Sequence, residues 1–185
     1  MHLQSPIRAL TRKLSGRKTM PSKEFYKISD EHKQIIEDHT GNKPVPLGAI
    51  AHDLGITVKL SALERGKSGL IECVNGEYRI KINRHEARER QRYTLAHEIA
   101  HFLLHRDIID QRGEIVDNVL YRSGQPAQIE YEANRLAADL IMPEDFIRAD
   151  LSAVGLPVTD EVIERLAHEW QVSTAAMEIR LPSCL

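Results

Sequence analysis

Residues Thr94 to His105 read TLAHEIAHFLLH, and at their centre stands His97-Glu98-Ile99-Ala100-His101. Two histidines four apart share one face of an α-helix, about a turn from each other. Imidazoles so placed can grip a single Zn²⁺, and a glutamate between them can reach a water beside that ion. Leu95, Ala96, Ile99, Phe102 and Leu103 recur at helical spacing, so the pattern belongs to a helix packed on one side. A partly buried helix that merely carries histidines is the bland alternative, since five-residue motifs do arise by chance.

Outward from this helix, the chain is of ordinary soluble composition. Its 185 residues are 42% hydrophobic and 28% charged, enough for one domain with a proper core. A formal net charge of −2 argues against a general nucleic-acid or membrane-surface binder. No apolar run approaches the length of a membrane span. Cys73 and Cys184 form neither a disulfide framework nor a C-x-x-C pair, which suits a reducing, cytoplasmic setting. Residues 1–21 are basic, with Arg8, Arg12, Lys13, Arg17 and Lys18 and no acid. They lack the apolar core of a signal peptide and are expected to be a disordered tail ahead of one domain over residues 22–185.

From Ser22 to Thr40 the pattern reads as a helix, and Leu47 to Leu54 as a shorter one ended by Gly55. Three strands follow, around Ile56–Leu60, Leu70–Val74 and Tyr78–Ile82, with Asn75-Gly76 as a hairpin turn between the last two. Asn83, with Glu86 three residues on, has the form of a helix cap. The helix, or a short lead-in and then the helix, runs to about His105. Arg106 to Gln125 reads as a long loop, and such loops are uncommon unless they serve a site. The expected fold is α+β: helices packed on a small, mostly antiparallel three-stranded sheet, with a zincin-like active-site helix and a helical C-terminal segment.

A catalytic zinc site needs three protein ligands and one open position. The third must come from a second helix, and PAQIEYEANRLAADLIM (126–142) offers one, with Ile129, Ala133, Leu136, Ala137 and Leu140 as its apolar stripe. Glu130 and Glu132 lie about 160° apart around that helix, so only one can face the ion. Glu130 shares the edge of the stripe with Asn134 and small residues that allow close approach, which favours it over Glu132. A donor for a developing oxyanion could be His105, Tyr93, Tyr121 or Tyr131, and the sequence does not choose among them. Asn134 is a candidate to orient the histidines. Beyond Pro143, one helix over Glu144–Leu151 and two more around Gln171, the last capped by Ser173, make residues 158–182 helix-turn-helix-like. Glu178 and a single Arg180 on the last helix argue against direct DNA binding and for core packing.

The run RERQRYTLAHEIAHFLLH (88–105), followed by IEYEANRLAADLIMP (129–143), resembles the ImmA/IrrE family of HExxH metallo-endopeptidases. Arg90, Arg92, Tyr93, Thr94, Leu95, Ala96 and the histidine motif match, as do Glu130, Ala133, Asn134, Ala137, Ala138, Met142 and Pro143. The resemblance covers roughly residues 44 to 182, and Leu136 stands where the family often has Phe. It implies one Zn²⁺ per chain held by His97, His101 and Glu130, with Glu98 as the catalytic acid/base. It also implies regulatory proteolysis of a helix-turn-helix repressor, releasing stress or mobile-element genes. The alternative of another class is a regulatory or toxin–antitoxin-type binding protein whose zinc site is structural or vestigial.

Overall fold

A computed structural model describes residues 21–118, 127–154 and 158–184. The tail expected over residues 1–21 therefore lies, except for Pro21, outside the described residues, as do Tyr121 and Pro126.

Among the described residues the chain forms seven α-helices and a four-stranded mixed sheet. A 3₁₀ turn, Phe25–Lys27, leads to α1 (Asp30–Thr40), where the hydroxyl of Ser29 caps the N-terminus by accepting from the His32 amide at 3.3 Å. The single helix expected from Ser22 is thus two pieces, because Ser29 is in extended conformation and starts a new helix. Helix α2 spans Leu47–Asp53.

Strands β1 (Ile56–Ser61), β2 (Lys67–Val74) and β3 (Glu77–Asn83) come next. Asn75 and Gly76 both take positive φ, 53° and 81°, as a two-residue turn between β2 and β3 requires. A fourth strand, β4 (Glu114–Asn118), pairs antiparallel with β2, giving the order β1-β3-β2-β4. The chain reverses between β1 and β2 and again at the hairpin, so β1 runs parallel to β3 beside it. The three-stranded sheet read from the sequence is corrected to a four-stranded mixed one.

Ile71, Ile80, Ile82, Tyr78 and Ile115 all lie on one face and are buried, whereas Glu72 and Lys81 pair on the other at 2.9 Å.

The covering helix is α3, Arg88–Arg112. Asn83 does not cap it: its side chain accepts from the His85 amide and donates to the Lys67 carbonyl, holding the end of β3. The short lead-in is what the structure shows, with Ala87 at the N-cap position. His105 departs from helical geometry (φ −128°, ψ 27°), and the chain resumes helix after it to Arg112. The expected loop over Arg106–Gln125 is therefore helix and then strand as far as Asn118; Ile109 and Ile115, both fully buried, bring it back onto the sheet.

Helix α4, Ala127–Ile141, packs along α3 with Ala133, Leu136, Ala137 and Leu140 wholly buried. Helices α5 (Glu144–Val154), α6 (Asp160–Trp170) and α7 (Thr174–Arg180) close the chain. Gln171 ends α6 in the left-handed region, and the Ser173 hydroxyl caps α7 by accepting from the Ala176 amide. Leu166, Trp170 and Met177 of this pair are in the core.

Candidate metal centre

Helix α3 delivers His97 and His101 from its buried face, and both rings are almost wholly inaccessible. Glu130 comes from the first turn of α4, brought close because small alanines such as Ala133 and Ala137 line that helix contact. Their facing atoms, two ring nitrogens and both Glu130 oxygens, lie close together. His97 Nε2 lies 3.0 Å from His101 Nε2, Glu130 Oε2 lies 3.3 Å from His97 Nε2, and Glu130 Oε1 lies 3.4 Å from His101 Nε2.

These spacings test whether a metal fits. A tetrahedral cation with bonds of about 2.0–2.1 Å separates neighbouring ligand atoms by about 3.3–3.4 Å. The donor set, two imidazole nitrogens and a carboxylate, is one that borderline divalent cations favour. Burial pushes the His101 ring's pKa down to about 4, so its lone pair is available at neutral pH. Burial works against ionisation of Glu130, but the His101 and His97 rings beside it hold its carboxyl well below the usual range. Two imidazoles and one carboxylate could together hold a metal ion.

Glu98, next along α3, is fully buried. Strand β2 passes it at Gly69, where a Cβ would sit 3.2 Å from Glu98 Oε1 and 3.2 Å from the Lys81 carbonyl oxygen and would collide with the Thr94 methyl. Only glycine lets the strand approach α3 this closely.

The other candidate residues fall into two groups. The Tyr93 hydroxyl donates to Asn134 Oδ1 at 2.6 Å, and the Tyr93 ring stacks on His97 with centroids 6.2 Å apart. Asn134 thus bears on His97 through Tyr93. His105 faces away from the cluster of donors: its Nδ1 lies 3.1 Å from His101 Nδ1 and its Nε2 lies 3.2 Å from Glu132 Oε2. Tyr131 is half exposed and accepts from Arg135.

Sequence reasoning set Glu132 aside because it points away from Glu130. In the structure it meets the same helix α3 one turn further on, at His105. Hydrogen bonds from Lys27 and Gln128 hold its carboxyl down to about 2. The only sequence signal for it was a second acid within reach of a third histidine.

A model of the IrrE N-terminal-like domain, a peptidase family, matches residues 51–182. The chain belongs to the ImmA/IrrE family. The match takes in both helices that carry the metal centre, and the family is one of metallopeptidases. No curated protein matches this ImmA/IrrE member. Among solved structures, a Mycobacterium tuberculosis transcriptional regulator is similar at 13% identity and a TM-score of 0.49. The alignment covers 95% of this chain and 46% of that one, so the chain spans less than half the regulator's length.

Proposed function

We propose that this ImmA/IrrE member is a zinc-dependent endopeptidase, a single cytoplasmic domain that cuts a protein partner, with a helix-turn-helix repressor as the substrate class. The observation that carries the reading is the cluster of His97, His101 and Glu130 ligand atoms, all within 4.8 Å of one another, with a buried Glu98 beside the two histidines on α3. Zinc bound there would polarise a substrate carbonyl and make water acidic enough to attack near neutral pH.

The chain's own residues do the rest. His97 and His101, on the buried face of α3, present Nε2 lone pairs, and Glu130 adds one negative charge, so that with a divalent ion bound the centre would stay net positive. Glu98 would accept a proton at its carboxylate as water adds to the peptide carbonyl, then return it to the departing amine nitrogen. Gly69 lets β2 seat beside Glu98, which excludes bulk water from that side of the carboxylate.

Glu98→Gln separates the enzyme from a non-catalytic zinc protein. Co-expressed with a repressor that the wild type cleaves, the variant should retain one zinc per chain and leave the repressor intact. A biological effect that survives the substitution would favour the binding-protein alternative. No helix among the described residues is long and apolar enough to cross a membrane.

A further inference from the structure

Behind His101 runs a line of hydrogen-bonding groups that ends on an early part of the chain. His101 Nδ1 faces His105 Nδ1 at 3.1 Å, and His105 Nε2 faces Glu132 Oε2 at 3.2 Å. The other Glu132 oxygen accepts from Lys27 Nζ at 2.9 Å and from Gln128 Nε2 at 2.6 Å. His101 and His105 are both buried.

An ionised carboxylate can only accept, so Glu132 fixes the direction of the whole line. His105 must carry its proton on Nε2 to donate to Oε2. Its Nδ1 is then bare and accepts from His101, which must carry its proton on Nδ1. A neutral His101 protonated on Nδ1 has its lone pair on Nε2, the atom that faces His97 and Glu130. His97 has no such arrangement: its Nδ1 is buried without a hydrogen-bond partner among the described residues.

His105 also departs from helical dihedrals. A residue four positions after His101 lies on the same helical face, and the kink at this position accompanies a ring that meets both His101 and Glu132. Glu132 comes from α4, two residues after Glu130, so one helix supplies a direct donor and the anchor of a second donor's orientation.

We propose that His105 and Glu132 are positioning residues for the metal centre, a relay that sets the tautomer and ring angle of His101 and is clamped from outside by Lys27. The inference rests on the ligand set proposed above. A carboxylate that reaches a ligand histidine through a second histidine should raise the ligand's basicity as a direct partner does.

The test is zinc affinity, measured with zinc alone in competition with a chromophoric chelator, on full-length wild type and four variants. His105→Phe keeps a ring but removes the acceptor, and should weaken binding about 10–100-fold. His105→Asn places an amide oxygen where Nδ1 stood and should recover most of that loss. If His105 served packing alone, Phe would be tolerated better than Asn, the opposite order. Glu132→Ala, a partly exposed position that should not disturb folding, should weaken zinc binding about tenfold. Glu130→Ala is the control. Binding lost with Glu130→Ala but unchanged, within twofold, in His105→Phe and Glu132→Ala overturns the relay alone. Zinc binding that is absent from the wild type, or indifferent to Glu130→Ala, overturns the ligand set and the relay with it.

Discussion

Gly69 lies where a methyl group has nowhere to go. Thr94 is fully buried and β-branched, so it cannot swing clear of a new Cβ, and the Lys81 carbonyl on the other side is backbone. Gly69→Ala should cost about 1–3 kcal/mol of stability through overpacking, read by urea denaturation. Removing the obstructing methyl with Thr94→Ser in the same background should recover part of the loss; no recovery would place the strain elsewhere. His101 gives a second prediction at this scale. In the metal-free fold its pKa is lowered to about 4, against the ordinary 6.5, so between these values the unfolded chain binds the extra proton. Stability of the metal-free protein should therefore be fully present above about pH 6.5 and fall as pH drops towards 4. Glu130, also held low, adds to the loss below its ordinary value of 4.5. A midpoint temperature that stays level from pH 7 to 4 in chelator-treated protein would show that the rings are not desolvated as described.

Helices α3 and α4 were largely legible in the sequence, because each carries its apolar residues at helical spacing and these are the residues the core takes in. The Asn75-Gly76 turn was legible for a similar reason: both residues sit at positive φ, which few others adopt cheaply. Strand β4 was not. Ile115 and Val116 form a short apolar pair after a charged segment, and what makes them a strand is the partner edge of β2, which no local pattern announces. The contact between His105 and Glu132 was hidden because it joins two helices, and spacing along either one does not reveal which residues meet across them. The segment before α1 was also misjudged. It lies along α4 as a strap: the Ser22 amide donates to Asp139, Arg135 pairs with the wholly buried Glu24 at 3.0 Å, and Lys27 reaches Glu132. Arg135→Ala would leave the buried Glu24 carboxylate with only the Lys23 ammonium, 3.9 Å away, and should cost about 1–3 kcal/mol, whereas Glu24→Gln should cost less. Thermal melts of the two variants decide this; equal losses would mean that the strap holds by packing alone.

At the scale of the whole molecule, the three helices after Pro143 are tied to the first half by Lys43. Its ammonium pairs with Asp150 at 2.6 Å and Glu169, and lies over the Trp170 ring, while the Trp170 indole donates to Asp150. A bound ion adds to this stability by mass action. Zinc at a thousand times its dissociation constant should stabilise the fold by about 4 kcal/mol, raising the melting temperature with zinc concentration. Chelation should reverse the rise, and Glu130→Ala should show none of it.

The strap and α4 touch across more than a hundred residues of chain, with separations of 105 at Lys27 and 117 at Ser22. On a ribosome this separation becomes time. The strap emerges first and waits, α3 follows with its two histidines, and the carboxylate that completes the proposed ligand set arrives only with residue 130. A half-made chain thus presents two imidazoles and no third ligand, too weak a trap to hold the ion. On this account the proposed centre loads late, once α4 has been clasped by a segment made long before it.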